Sequence, residues 1–185
     1  MRIITGTAKG RKIDAPEGMD TRPTLERVKE SVFGSIQFDI YGRNVLDLFA
    51  GSGNLGIEAL SRGAKHAVFC DNSRTCFGVI NSNLKKLGFE NATVYNIDYS
   101  ALIQRMQREG QAFDLVFIDP PYSSGLAQDA LCMLCDADIL SDDAIVVAEH
   151  DEKQVLTPPQ GLSIVSHKLY RATAVTIFRK NGGSL

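Results

Sequence analysis

The stretch VLDLFAGSGNLGIEAL, Val45 to Leu60, decides the fold. Its apolar start reads as a strand, Val45 to Phe49, and its end opens a helical pattern that continues from Leu55 to Arg62. Between the two, Gly51, Gly53 and Gly56 spell GxGxxG. Glycines at a strand-to-helix junction let the chain turn sharply and let a ligand lie against the backbone at the carboxyl ends of the strands. The stretch is one strand, turn and helix with a binding loop at its centre.

The same unit repeats toward the C-terminus. Strand-like runs are expected at Ala67 to Asp71, Thr93 to Ile97, Leu115 to Ile118 and Ala144 to Ala148, and helical patterns near Thr75 to Leu87, Ser100 to Arg108 and Leu126 to Leu134. Gly63 and Gly88 stand where helix C-caps need a residue tolerant of positive φ. Such alternation with short connections predicts an α/β fold, a doubly wound and mostly parallel Rossmann-like sheet. After the fifth strand the helical signal stops. Ser163 to Leu169 and Ala174 to Arg179 read as a closing β-hairpin, which would put an antiparallel strand on the sheet.

The segment before Asn44 has a different character. Gly6, Gly10, Pro16 and Gly18 punctuate a hairpin or loop, and Leu25, Val28, Val32, Phe33 and Ile36 then recur at helical spacing. Residues 1–40 are expected to be an appendage to one domain spanning 41–185, since 185 residues suit a single ordinary domain. Up to residue 38 the chain carries Arg2, Lys9, Arg11, Lys12, Arg22, Arg27 and Lys29 against five acids, although the formal net charge of the whole is −2. That balance disfavours nonspecific adhesion to nucleic acid and points to a segregated phosphate-contacting surface.

Composition excludes other classes. With 44% apolar and 23% charged residues the chain is neither disordered nor fibrous. Apolar runs are strand-sized, and MRIITGTAKGRK lacks the apolar core of a signal peptide, so a cytoplasmic protein is expected. The four cysteines are then expected to be reduced thiols. Cys132 and Cys135 have CxxC spacing, but they lie deep in a predicted helix (Leu126 to Asp136) with no second pair, so core packing is preferred to a redox or metal role. No metal site is expected. His150 reads as a solvated loop histidine beyond the fifth strand.

Charge narrows the ligand of the glycine loop. A dinucleotide would bring a pyrophosphate next to the carboxylate of Asp47, where a low dielectric strengthens the repulsion. S-adenosylmethionine brings a sulfonium and an ammonium, which Asp47 favours directly or through water. The competing reading makes Asp47 an anchor for the loop's own amides. Asp71, twenty residues after Gly51, is placed to accept from ribose hydroxyls whichever cofactor binds. Asp98 is placed to accept from an adenine amino group, or to cap the helix beginning near Tyr99, and the two roles are compatible.

A second stretch, LVFIDPPY at Leu115 to Tyr122, ends the fourth strand at the switch point of the sheet. Pro120 and Pro121 stop the strand and stiffen the turn after it. An exocyclic amine on a nucleobase is a poor nucleophile because its lone pair is delocalised into the ring. Hydrogen bonds accepted by the Asp119 carboxylate and the Pro120 carbonyl favour a tetrahedral nitrogen with its lone pair available, and Tyr122 can stack on the base. Taken alone, the same residues would also suit a tight turn with a buried aromatic. Together with the glycine loop and the acids after strands one to three, they point to amine-directed methyl transfer.

These stretches, with RIITGTAKGRKI (Arg2 to Ile13) and RPTLERVKESVF (Arg22 to Phe33), make the chain resemble the RsmD family of bacterial ribosomal RNA guanine-N2 methyltransferases over nearly its whole length. The resemblance implies a class I S-adenosylmethionine-dependent methyltransferase fold with a seven-stranded sheet. The implied target is one guanine of small-subunit (16S) ribosomal RNA in the assembling or assembled particle. Asp119, Pro120 and Tyr122 are implied at the target base, and Asp47, Phe49, Gly51, Gly53, Asp71, Asn72, Asp98 and Tyr99 around the cofactor. Arg11, Lys12, Arg22 and Arg27 are implied RNA contacts, with Arg22 also a candidate ion-pair partner of Glu26, and the protein is expected to act as a monomer. Adenine-N6 methylation of DNA or another RNA uses the same tetrapeptide, but an appendage of about forty residues is small for reading duplex sequence. A nicotinamide-dependent oxidoreductase, supported by GxGxxG and Asp71, and a noncatalytic RNA-binding module are the readings from other classes.

Overall fold

Twelve elements succeed one another in the computed structural model as α1 (Pro23–Ser35), β1 (Asn44–Asp47), α2 (Asn54–Ser61), β2 (His66–Cys70), α3 (Arg74–Leu87), β3 (Ala92–Tyr95), α4 (Tyr99–Arg108), β4 (Phe113–Ile118), α5 (Leu126–Asp136), β5 (Leu140–Asp151), β6 (Leu162–Tyr170) and β7 (Thr173–Lys180). The structure describes residues 1–16, 23–121 and 125–182, with the backbone alone at 23–25. The seven strands form one sheet in the order β3-β2-β1-β4-β5-β7-β6. β3 to β5 run parallel, β7 is antiparallel to β5, and β6 is antiparallel to β7. Strand order reverses between β1 and β4, so their carboxyl ends flank the crevice in which an open α/β sheet binds ligands.

Register shows why the strands read as continuous apolar runs. Val45, Leu115 and Ile145 lie side by side and pack in the core layer that also holds Val28, Val32 and Phe33 of α1 and Ile57 of α2. One residue along, Leu46, Val116 and Val146 face the opposite layer with Leu102 of α4 and Leu131 of α5. Strands covered on both faces need apolar residues at every position. The next row, Asp47, Phe117 and Val147, returns to the first face, and there the polar residues begin.

The N-terminal segment is pinned to α2. Arg2 and Lys12 form an antiparallel bridge, and Gly10 N donates to Ile3 O at 2.8 Å, closing a small hairpin. Glu58, fully buried, accepts from Ile4 N at 2.8 Å and Thr5 N at 3.0 Å, and Ala8 N donates to Ser61 Oγ at 3.0 Å. The Phe33 ring of α1 sits 5.6 Å from the Phe117 ring of β4. Ile3, Ile13, Val32 and Phe33 thus share one apolar cluster with the sheet.

Two expectations need correction. β5 reaches from Leu140 to Asp151, well beyond Ala144 to Ala148, because β7 pairs with it from Ile145 to Asp151 and supplies hydrogen-bond partners past the apolar run. His150 consequently lies inside a strand, 1% exposed, with Nε2 2.9 Å from Thr176 Oγ1. Cys132 and Cys135 are free, half-buried thiols on α5. Among the described residues, no helix is long and apolar enough to cross a membrane, and no cluster of three or more His, Cys, Asp or Glu side chains could hold a metal ion.

Candidate active site at the carboxyl ends of the strands

The glycine loop between β1 and α2 is fastened by two carboxylates. Asp47 Oδ2 accepts from Gly56 N at 3.0 Å, and Asp71 accepts from Gly51 N at 2.9 Å and from Ser73 N at 2.8 Å. Gly53, at φ 80°, is the left-handed residue from which α2 starts; it is buried and is not on the wall of the cleft. Gly56 brings the helix close to the sheet: a Cβ there would lie 2.3 Å from Phe69 Cε1. Asp47 therefore has the anchoring role read as its alternative, and Asp71 holds the glycine loop through Oδ2 and its own turn before α3 through Oδ1 while remaining half-buried on the cleft wall.

Two cavities meet over this loop, sharing Phe49, Gly51 and Asp119. The outer cleft, of about 770 Å³, is lined by Asp71, Asn72, Asp98, Tyr99 and Pro120, a volume in the range of small-molecule sites. The rings of Phe49 and Tyr99 pack 5.1 Å apart at 40°, forming one apolar wall. Asp98 caps α4, its Oδ1 accepting from Ser100 N at 2.9 Å and Ser100 Oγ at 2.5 Å, and its exposed carboxylate edges the cleft. The inner cavity, of about 270 Å³, lies under α1 and is lined by Val28, Lys29, Asp47, Asp119, Val147 and Glu149 among others.

Carboxylates dominate the electrostatics. Burial pushes the Asp47 carboxyl up to about 7 against the hydrogen bond from Gly56, and nearby Asp71 adds to the rise. Asp119 is held well above the usual carboxylate range by burial first, then by Glu149 and Asp47. Lys29, the cation in the inner wall, is 4% exposed and already engaged: Nζ lies 2.9 Å from Glu58 Oε2 and 2.7 Å from Asn54 Oδ1, and burial lowers its pKa. A pyrophosphate over this loop would be repelled by these carboxylates, whereas a ligand carrying sulfonium and ammonium charges would relieve them. The donor set fits the second ligand.

The proposed base-contacting residues are partly in view. Asp119 stands at the junction of the two cavities and Pro120 lines the outer one, while Tyr122 lies outside the described residues, as does Arg22. Arg11 is exposed but committed to the end of α3, donating through Nη1 to Leu87 O at 3.1 Å and through Nη2 to Lys86 O. Lys12 and Arg27 are exposed. Lys29 leaves the basic surface that the sequence suggested, because its charge is needed by Glu58 inside. Glu149 was missed by the sequence reading. A carboxylate closing the apolar run IVVAE, as Asp119 closes LVFID, was the signal available.

Comparison with known proteins finds relatives over nearly the whole chain. A family model described as "Conserved hypothetical protein 95" matches residues 1–179. "Putative rRNA methyltransferase YlbH" of Bacillus subtilis is 39% identical over 184 residues, covering 98% of this chain and 100% of the relative. "Ribosomal RNA small subunit methyltransferase D" of Haemophilus influenzae is 36% identical, covering 92% and 93%. Among solved structures, "Putative methyltransferase yhhF from Escherichia coli" superposes with a TM-score of 0.86 at 32% identity, covering 98% of both chains.

Proposed function

This chain belongs to the RsmD family, whose model is described as conserved hypothetical protein 95, and from that premise we propose that it methylates the exocyclic N2 of a guanine in small-subunit ribosomal RNA. The observation that carries the reading is Asp119, a half-buried carboxylate at the switch point where the outer cleft opens into the inner cavity. Relatives named as ribosomal RNA methyltransferases support the substrate class. The amine preference rests on the Asp119-Pro120-Pro121-Tyr122 sequence, and the preference for guanine on the family resemblance. A cytoplasmic location follows from the same substrate.

In the outer cleft Asp71 and Asn72 would hold the ribose, Asp98 the adenine amino group, and the wall of Phe49 and Tyr99 one side of the adenine. Asp47 would face the cationic end across the glycine loop. S-adenosylmethionine supplies a methyl carbon made electrophilic by its bond to sulfonium sulfur. Asp119 and the Pro120 carbonyl accept hydrogen bonds from the amine and direct its lone pair toward that carbon. Bound there, the cofactor would give up that carbon to the amine nitrogen, the C–S electron pair returning to sulfur. The surplus amine proton passes to Asp119, whose raised pKa makes it a stronger base than an exposed aspartate. Tyr122 would hold the base flat by stacking. Lys12, Arg22 and Arg27 would meet the RNA backbone, with residues 1–40 as the RNA-facing appendage to the methyltransferase domain at 41–185, and the protein acts as a monomer.

The test is direct. Purified protein and isotope-labelled S-adenosylmethionine are incubated with unmodified small-subunit particles, naked ribosomal RNA and DNA, and the modified base is mapped by mass spectrometry. Label on guanine N2 of the small-subunit RNA supports the reading. Label on adenine N6, or on DNA alone, refutes it.

A further inference from the structure

A fully buried amide ties two distant parts of the chain together. Asn83 of α3 is 0% exposed, and its hydrogen bonds all go to main chain. Oδ1 accepts from Asp14 N at 2.9 Å, while Nδ2 donates to Asp14 O at 2.9 Å and to Ser52 O, in the glycine loop, at 3.0 Å. These partners are 69 and 31 residues away in sequence. Truncation to alanine would leave one main-chain donor and two acceptors without that partner. The glycine loop has further ties, through Asp47 and Asp71. At Asp14 the other tie is an ion pair with Lys86 whose side chains are 60% and 44% exposed, a kind that holds weakly. The amide of Asn83 is what fixes Asp14 against the loop.

What this fixes is seen two residues on. Pro16 is buried and lines the outer cleft together with Asp71, Asn72 and Cys76. Cys76 and Asn83 stand two turns apart among the buried residues of α3, so the chain from Asp14 to Pro16 follows one face of that helix toward the cleft. Ala15 precedes a proline and is held to extended backbone, and the ring of Pro16 fixes its own φ. A stiff pair of residues thus carries the position of Asp14 to Pro16. We propose that Asp14 to Pro16 form a wall of the S-adenosylmethionine cleft, and that Asn83 is the positioning residue that sets this wall against the glycine loop. The inference rests on the placement of the cofactor in the outer cleft proposed above and deepens it. The ring of Pro16 offers carbon and would shield the adenosine from water while Asp71 and Asn72 hold the ribose. Part of the N-terminal segment then serves the cofactor as well as the RNA.

Calorimetry of S-adenosylmethionine binding to the full chain tests this in wild type, Pro16→Ala, Asn83→Ala, the double variant and Tyr99→Ala. Pro16→Ala should raise Kd about 3- to 10-fold, the worth of one or two methylenes taken from a ligand contact. Asn83→Ala should raise it about 3- to 30-fold. Because Asn83 acts through the wall, the double variant should bind at most about twofold more weakly than the weaker single variant, whereas independent losses would multiply. With small-subunit particles and saturating cofactor, kcat of Asn83→Ala should stay within about threefold of wild type while KM for S-adenosylmethionine rises, a split that general damage to the fold does not give. An unchanged Kd in Pro16→Ala or Asn83→Ala, multiplied losses in the double variant, or a fall in kcat as large as the rise in Kd overturns the inference. If circular dichroism shows Asn83→Ala unfolded, Asn83→Asp takes its place with the same expectations, since it keeps an acceptor for Asp14 N and lacks the N–H₂ donors. Tyr99→Ala separates this failure from that of the placement beneath it. Weaker binding there with none lost at Pro16 and Asn83 removes only the wall, and full binding in all the variants removes the cofactor from the outer cleft. A wild type that binds S-adenosylmethionine but leaves guanine N2 unmodified refutes the proposed reaction instead, and the Kd comparison then decides the inference by itself.

Discussion

Replacing Asp47 by asparagine should change how stability and cofactor binding respond to pH. The side chain is 1% exposed and its carboxyl rises from 3.8 to about 7 on folding. The native chain therefore keeps a proton that the unfolded chain releases. The stability this group contributes is fully present below about pH 4 and is lost as pH rises through 7. Roughly 3 pKa units at ~1.4 kcal/mol each amount to about 4 kcal/mol, of which about 3 kcal/mol falls between pH 5 and pH 8. Asparagine keeps an oxygen for the Gly56 N–H but does not ionise. Urea unfolding of both proteins should show the wild type losing about 3 kcal/mol more than Asp47→Asn between pH 5 and 8. A bound cation should also draw the proton off. At pH 6.5 about three-quarters of the wild-type molecules carry it, so S-adenosylmethionine binding should release up to about 0.7 proton more than in the variant. Calorimetry in buffers of different ionisation enthalpy measures this difference. Parallel stability profiles together with equal proton release in the two proteins would refute the assignment of Asp47 as a buried, cation-facing carboxylate.

Three further outcomes are expected from the same geometry. Asp119→Ala should lower kcat for methyl transfer by about 10²-fold or more, because the lost acceptor acts mainly in the transition state, with the cofactor Kd changed less than about threefold; unchanged turnover would remove Asp119 from the chemistry. Glu58→Ala strands the Lys29 ammonium and the N–H groups of Ile4 and Thr5. It should cost roughly 3–5 kcal/mol, seen as a Tm lowered by roughly 10 °C, and a shift below about 2 °C would contradict the described network. Gly56→Ala sets a methyl 2.3 Å from Phe69 Cε1 and should destabilise by about 1–3 kcal/mol, most of which Phe69→Leu in the same chain should restore. Additivity of the two substitutions in urea unfolding would show that this contact is not the cause.

What the sequence determined by itself was everything governed by short-range rules. Strand and helix order was legible because apolar runs and helical spacing carry their own period, and Gly88 and Asp98 cap α3 and α4 as their residue types allow. The ligand loop was legible because GxGxxG fixes the turn locally and an acid comes at or after the end of each of the first three strands, although the tie from Asp71 to Gly51 spans twenty residues. Only the tertiary structure decided which groups face each other across elements. Lys29 reads as a surface cation until α2 brings Glu58 within 2.9 Å of it. Arg11 reads as a free phosphate contact until the carbonyls at the end of α3 take its guanidinium. His150 reads as a loop residue until β7 extends the pairing of β5 around it. Glu149 goes unremarked until parallel register sets it beside Asp119. Charge interactions depend on distance and burial, and neither is fixed until strands separated by about thirty residues lie side by side.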